Sequence, residues 1–332
     1  MTPAPLLDVE NLSASLPTDR GLVHAVSGVS FSVMPGKTLA IVGESGCGKS
    51  MLGRAIMGLL PKGAVISDDC VIRFEGRPLQ RRAPNAPRPI IGKDIAMVFQ
   101  DPMTSLNPVM TVGGQITEGI IHHLRASKKD AHVRAMALMT EVGINMPRRR
   151  FDQYPHQLSG GLRQRVAIAI ALACRPELII ADEPTTALDV TVQADILDLL
   201  SRLQAEKNMT MILISHNLGV VAGRAHDTAV MYAGKLVEMA PTPLLFRETR
   251  MPYTHALLSA IPRLTDPPHA HLNAIDGMPP DLIAPPAGCG FAPRCQRADR
   301  RCHETAPPMG DDNGSGHRYA CWHPINSGSD TQ

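Results

Sequence analysis

A glycine-rich segment between a short apolar run and a helical stretch constrains this chain most. Residues 43–50 match the pattern G-x-x-x-x-G-K-[ST], follow the apolar residues 39–42 and open a predicted helix over residues 50–60. Glycines let the backbone wrap around phosphates, and amides at a helix start bind anions. The pattern predicts a phosphate-binding loop in which Lys49 reaches the β- and γ-phosphates and Ser50 is a ligand of Mg²⁺. Its residues are Gly43, Glu44, Ser45, Gly46, Cys47, Gly48, Lys49 and Ser50.

Apolar runs of strand length recur along the first 240 residues and alternate with helical or polar stretches. This alternation predicts an α/β fold with a mostly parallel, covered sheet. Between residues 101 and 173 helical signals replace the strands, which predicts a helical insertion. The predicted strands are Thr38–Val42, 95–99, 178–181 and 209–214, and the predicted helices of the insertion are 113–124, 129–142 and 161–173.

Length and charge limit the protein class. A chain of 332 residues allows about two domains, and 33 basic against 31 acidic residues argue against a nucleic-acid coating role. No apolar window approaches a membrane span and the N-terminus lacks signal-peptide features, so we expect a cytoplasmic chain. Prolines crowd the chain after residue 240. We predict a nucleotide-binding domain over 1–240, with its helical subdomain at about 101–173, and a C-terminal extension over 241–332.

A second phosphate-site element follows the predicted strand 178–181. This apolar run ends in two adjacent carboxylates, Asp182 and Glu183. Asp182 is predicted to hold Mg²⁺, directly or through water. Glu183 is predicted to orient or deprotonate the attacking water.

Further motifs narrow the class. Residues 158–165 read LSGGLRQR, Gln100 ends a predicted strand, residues 187–189 read Ala-Leu-Asp, and His216 follows another strand. Together with the loop and the carboxylates, these elements resemble the P-loop, Q-loop, signature, Walker B, D-loop and H-loop of ABC ATPases, in the same order. Taken alone, His216 would fit a satisfied core histidine; its place in this series favours a functional one.

The resemblance implies a head-to-tail dimer with two ATP molecules at its interface. Ser159, Gly160 and Gly161 of one subunit would contact the γ-phosphate of the partner's ATP. His216 would contact the γ-phosphate, and Asp189 would couple the two sites. Gln100 would sense Mg²⁺ and the attacking water.

Adenine recognition departs from the family pattern. Many ABC ATPases stack the base on an aromatic residue before the P-loop, whereas residues 18–23 contain none. Arg20 could stack its guanidinium on adenine, or apolar contacts could hold the base.

Three stretches resemble the peptide/nickel branch of ABC importers, and its D-type subunits in particular. They are residues 98–108, residues 252–258 and the tail from Gly288 through Cys321-Trp322-His323-Pro324. The resemblance implies a second ABC ATPase subunit, two transmembrane permease subunits, an external substrate-binding protein and no nucleic acid. It also implies a peripheral location on the cytoplasmic face of the inner membrane.

Four cysteines in the tail form a candidate metal site. Cys289, Cys295, Cys302 and Cys321 follow the spacing C-x5-C-x6-C-x18-C, unlike the paired C-x2-C of zinc ribbons. The resemblance to D-type subunits suggests a [4Fe–4S] cluster, which we expect to be structural. Zinc and free or oxidised thiols remain alternatives.

The predicted function is an ATP-binding and ATP-hydrolysing subunit that powers uptake of di- or oligopeptides. One alternative is the same role in import of nickel or another small solute. A second alternative, from another class, is a soluble ABC ATPase without membrane partners.

Overall fold

The computed structural model describes residues 4–79, 90–186, 188–261, 275–311 and 314–325. Its strands are β1 (Leu7–Thr18), β2 (Gly21–Val33), β3 (Thr38–Val42), β4 (Val65–Ile66), β5 (Val71–Phe74), β6 (Arg77–Pro78), β7 (Ile95–Val98), β8 (Leu178–Asp182), β9 (Thr210–Ser215), β10 (Asp227–Tyr232), β11 (Lys235–Pro241), β12 (Gly310–Asp311) and β13 (Arg318–Tyr319). Its α-helices are α1 (Lys49–Met57), α2 (Pro102–Ser105), α3 (Val112–Leu124), α4 (Lys128–Glu141), α5 (Pro147–Phe151), α6 (Gly160–Leu172), α7 (Val190–Lys207), α8 (Leu218–Val221), α9 (Thr242–Arg247), α10 (Pro252–Ser259) and α11 (Arg300–Glu304).

The chain divides into two compact units, each with its own buried core. The first unit comprises Met1–Met34, Thr38–Gln80 and Leu213–Gln332, and the second comprises Pro35–Lys37 and Arg81–Ile212. Full burial of a large apolar side chain contributes about 1.5–3 kcal/mol to folding. Large fully buried side chains are Leu7, Leu12, Leu39, Ile41, Leu52, Ile56 and Tyr253 in the first unit, and Ile95, Ile116, Ile120, Met139 and Ile168 in the second.

The first unit contains an antiparallel sheet in the order β2-β1-β5-β6, with β4 also paired to β1. Strands β1 and β2 form a hairpin whose register runs from Leu7↔Val33 to Thr18↔Gly21. The expectation of a mostly parallel sheet is wrong here, because the two-residue connection at 19–20 can join only antiparallel strands. Side chains of β1 still alternate in burial, with a register shift after Val9.

The first unit also carries the strand order β12-β13-β11-β10-β3. Within it, β10 and β3 are parallel and the other pairs are antiparallel. All five residues of β3 are buried, as its continuous apolar run predicted. Helix α1 follows, but it ends at Met57 rather than at residue 60. Gly58 adopts the left-handed conformation there, and its amide bonds back to the carbonyl oxygen of Ala55.

The second unit places β7 and β8 side by side in parallel. The register runs from Ile95↔Leu178 to Val98↔Ala181, and every residue of both strands is buried. The carboxyl ends of parallel strands lie at the same edge of a sheet. The residues that follow β7 and β8 are therefore brought together.

Helices α2 to α6 occupy residues 102–172, a stretch that the structure describes in full and that contains no strand. The three long helices agree with the predicted helical insertion to within one residue at each end. Thr111, Ser127 and Ser159 cap them by accepting hydrogen bonds from backbone amides. The subdomain limits 101–173 and the boundary at residue 240 stay predictions.

In the parts of the chain that the structure describes, no helix combines the length and apolar character that a bilayer crossing requires.

Candidate functional site

The glycine-rich loop after β3 is shaped by contacts that only glycine allows. Gly43 (φ 154°) and Gly48 (φ 103°) both have positive φ values. A Cβ atom at Gly43 would overlap the carbonyl oxygen of Met231, and one at Gly48 would overlap that of Ala25. The loop backbone is thus pressed against its neighbours, which is the close approach that a phosphate-binding loop needs.

Lys49 is buried and its ammonium lies over the loop backbone. Its Nζ atom donates to the carbonyl oxygens of Gly43 (2.8 Å) and Glu44 (2.9 Å). Its side chain therefore folds back toward the loop, where a phosphate would be attracted to the ammonium. Burial raises the pKa of the neighbouring Cys47 thiol despite the charge of Lys49. Cys47 is accordingly a small buried residue of the loop rather than an activated thiol.

Glu44 is joined to residues that sequence reasoning did not assign to the site. Its carboxylate accepts two hydrogen bonds from Arg294, and its amide donates to the hydroxyl of Tyr253 (2.9 Å). Both partners lie in the stretches that resemble peptide importers. That resemblance was the available signal, but it did not point to Glu44.

Gln100 and Glu183 meet at the sheet edge where β7 and β8 end. The Gln100 Nε2 atom donates to Glu183 Oε2 at 3.0 Å, and the Thr186 hydroxyl donates to the same oxygen at 3.1 Å. Asp182, the last residue of β8, is fully buried. Glu183 has a φ of 42°, which turns the chain sharply after the strand. The carboxylate of Glu183 and the carboxamide of Gln100 are thus direct neighbours, and a carboxylate is a group that can activate a water.

Ser159 and Asp189 begin two neighbouring helices of the second unit. Ser159 caps α6 by accepting from the amide of Leu162 (3.4 Å), and Asp189 caps α7 by accepting from the amide of Val192 (2.9 Å). Cβ atoms at Gly160 and Gly161 would lie 3.2 Å from Leu188 and 2.9 Å from Val192. The signature and D-loop motifs are thus in contact. Ala187 lies outside the described residues.

His216 and Arg20 both lie at the surface of the first unit. His216 directly follows β9 and is exposed, so it is not a core histidine. Arg20 lies in the turn between β1 and β2, and its side chain is 78% exposed. Its guanidinium pairs with Asp281 at 2.8 Å. Its predicted contact with adenine stays a prediction.

The four tail cysteines line one cavity together with Phe291 and Trp322. Burial, with a smaller contribution from the other three cysteines, raises the pKa of the Cys321 thiol to about 11. Four sulfur donors around one space fit the ligand set of an iron–sulfur cluster or of zinc. Among the described residues, a tighter donor group is Asp299, Cys302 and His323, whose ligand atoms lie within 4.8 Å of one another.

Two family models match the chain. The model described as ABC transporter matches residues 26–186, and the model described as oligopeptide/dipeptide transporter, C-terminal region, matches residues 237–302. The chain is 49% identical to the dipeptide transport ATP-binding protein DppD of Bacillus subtilis over 96% of this chain and 94% of that protein. The chain belongs to the ABC transporter ATP-binding proteins.

A second relative and two solved structures support the same family. The oligopeptide transport ATP-binding protein OppD of Bacillus subtilis is 49% identical over 92% of this chain and 85% of that protein. Two solved structures share the fold. One is the dimeric cassette MJ0796 bound to ADP and phosphate, with a TM-score of 0.63 and 26% identity over 71% of this chain and 98% of that one. The other is cbiO1 from Clostridium perfringens, with a TM-score of 0.60 and 27% identity over 73% and 90%.

These findings confirm the predicted class. The α/β fold, the resemblance to D-type importer subunits and the ATP-hydrolysing cassette were all predicted correctly. The individual roles of the ABC site residues stay predictions.

Proposed function

We propose that this ABC protein hydrolyses ATP to power uptake of di- or oligopeptides through separate membrane subunits. The similarity to DppD carries the proposal, because it spans both the cassette and the C-terminal region. The buried Lys49 ammonium over the glycine-rich loop independently supports the ATP-binding part of the proposal.

Within the chain, we assign each step to a named residue. Lys49 and the loop amides bind the phosphates. Glu183 activates the attacking water, Gln100 helps to position it and His216 contacts the γ-phosphate. The hydrogen bond between Gln100 and Glu183 supports a shared role in orienting water.

Magnesium would be held by oxygen atoms of Ser50, Gln100 and Asp182. Hydroxyl, amide and carboxylate oxygens are the ligands that this hard cation prefers. When bound, the ion offsets the negative charge of the phosphates.

A second ATPase subunit would complete each site. Ser159, Gly160 and Gly161 would contact the γ-phosphate of the partner's ATP, and Asp189 would couple the two sites. The exposed guanidinium of Arg20 is available to adenine if its pair with Asp281 opens, which costs little for a surface pair. Two permease subunits and an external binding protein would form the rest of the importer, with this chain at the cytoplasmic face of the inner membrane.

The tail cysteines would hold a metal group. Cys289, Cys295, Cys302 and Cys321 offer four thiolates around one cavity, which suits a [4Fe–4S] cluster, with zinc as the alternative. Either would tie down a proline-rich segment. Iron, sulfide and zinc measured on anaerobically purified protein test this, and zinc without sulfide would exclude the cluster.

Uptake measurements test the transport proposal and its alternatives. Cells carrying wild type, Glu183→Gln or the control Glu206→Gln would be given labelled di- and oligopeptides and radioactive nickel. Glu206 is an exposed glutamate of α7, so its variant should behave as wild type. We expect Glu183→Gln to abolish peptide uptake alone. Loss of nickel uptake alone would assign the protein to metal import. No change in the uptake of either substrate would favour another solute or a role outside transport.

A further inference from the structure

One ion pair links the cysteine-bearing tail to the glycine-rich loop across 250 positions of sequence. Arg294 Nη1 and Nη2 donate to the two carboxylate oxygens of Glu44 at 2.7 and 2.9 Å. The side chains of Arg294 and Glu44 are only 4% and 23% exposed. A bidentate pair this well shielded is stronger and more precisely oriented than a surface salt bridge.

All five N–H groups of the Arg294 guanidinium have acceptors. Besides the two bonds to Glu44, Nε donates to the carbonyl oxygen of Asp276 (2.8 Å), Nη1 to the Tyr232 hydroxyl (3.2 Å) and Nη2 to the carbonyl oxygen of Ile275 (3.0 Å). Lysine has three donors and no planar fork, so it cannot reproduce this set. The site is therefore built for arginine.

Glu44 is held at three separate points. Its carboxylate binds Arg294, its amide donates to the Tyr253 hydroxyl and its carbonyl oxygen accepts from Lys49. Tyr253 is fully buried, so it is a fixed anchor. These contacts set the conformation of the loop immediately after Gly43.

The anchor residue is part of the cysteine segment itself. Arg294 ends a short 3₁₀ helix, Ala292–Arg294, between Cys289 and Cys295. Phe291, next to this helix, packs its ring against those of Tyr232 and Tyr253 at 5.5 and 5.3 Å between centroids. The ion pair thus fastens this segment to Glu44 directly, and the aromatic contacts fasten it to Tyr253, which itself bonds to the amide of Glu44.

Charge gives the pair a second effect. A carboxylate without a counter-ion in a phosphate-binding loop would repel a triphosphate and compete for the Lys49 ammonium. Arg294 offsets that charge.

We propose that Arg294 is a positioning residue for ATP: through Glu44 it holds the phosphate-binding loop in shape and neutralises the carboxylate within it. This inference rests on the proposed ATP site.

MgATP affinity of the full-length chain, measured by titration calorimetry, tests the proposal. We expect Arg294→Gln to weaken binding about tenfold. Adding Glu44→Gln should restore the part of the affinity that is lost to the uncompensated charge, but not the part that is lost with the bidentate contact holding the loop. Arg294→Lys should lie between, since it keeps the charge and loses the fork. Arg300→Gln is the matched control in the same segment, with a side chain 88% exposed, and should bind as wild type.

The outcomes separate this inference from the proposed function. Suppose that wild type binds ATP, that Lys49→Ala does not, and that Arg294→Gln binds within twofold of wild type. The inference about Arg294 is then overturned, while the proposed ATP site stands. If wild type fails to bind, both fall. Equal losses in Arg294→Gln and in the double variant would also overturn it, because a purely structural defect is not rescued by removing a charge.

In the assembled transporter, Arg294→Gln should raise the KM for ATP and leave kcat unchanged. If Arg294→Gln does not fold, Arg294→Lys and the double variant provide the comparison.

Discussion

The protein contains two glycine-rich motifs at helix starts, and their glycines are constrained in different ways. In the loop before α1, Gly43 and Gly48 face backbone carbonyl oxygens of Met231 and Ala25, which cannot move aside. In the first turn of α6, Gly160 and Gly161 face the side chains of Leu188 and Val192. Side chains can shift where backbone cannot. Folding thus demands glycine more strictly in the first motif than in the second.

The two helix starts also differ in capping. Gly48 offers α1 no capping side chain, whereas Ser159 caps α6. A helix start without a capping side chain is suited to bind an anion with its amides. A capped start is stabilised within the chain itself. The first motif is therefore expected to bind phosphate with its own amides, whereas the start of α6 is stabilised without a ligand.

Gly48→Ala should have the largest effect. The added Cβ must occupy a left-handed φ and overlap the Ala25 carbonyl, at a cost of about 2–5 kcal/mol. We expect a large drop in Tm and loss of MgATP binding by the full-length chain. A Gly48→Ala variant with the Tm and the MgATP affinity of wild type would contradict the proposed difference between the two glycine-rich motifs.

Ser159→Ala should have an intermediate effect. Its cap bond is long at 3.4 Å, so we expect a cost of about 0.5–1 kcal/mol in the free energy of unfolding, measured by denaturant titration. MgATP binding by the single chain should not change, while ATP hydrolysis in the assembled transporter should fall. Weaker ATP binding by the single chain would contradict the proposed assignment of this motif to the partner's ATP.

Gly161→Ala should change stability least. The Val192 side chain must yield slightly, but alanine favours the helix by about 1 kcal/mol over glycine, so the two effects nearly cancel. We expect a free energy of unfolding within about 0.5 kcal/mol of wild type. Hydrolysis in the assembled transporter should nevertheless fall, because the added methyl obstructs close approach to phosphate. Gly119→Ala is the matched control, because a Cβ atom at Gly119 would face open space. Gly223 also faces open space, but its positive φ makes it unsuitable as a control.

Local patterns predicted much of the fold and the candidate site. The buried strands β3, β7, β8 and β9 were found within one or two residues, because continuous apolar runs between helices have few other structures available. The β1–β2 hairpin was missed. The alternation of inward and outward side chains along β1 is interrupted by a register shift after Val9, and this interruption obscures the two-residue period that is typical of a strand.

Pairings across long stretches of sequence were not predictable. Glu44 and Arg294 each occur in a recognisable motif, yet neither motif specifies the other. The pairing of Arg20 with Asp281 is likewise not specified by the residues next to either partner in the sequence. Such contacts depend on how the whole first unit packs, and no local propensity reports on that.

The sequence by itself determined the class of the protein, because the order and spacing of its motifs are set by phosphate chemistry that acts over a few neighbouring residues. It also determined the helix starts at Ser159 and Asp189, where a side chain bonds to an amide three positions away. Only the tertiary structure decided which residues surround the loop at Glu44. Those partners come from β10, α10 and the cysteine segment, and they meet only when the buried core brings distant parts of the chain together.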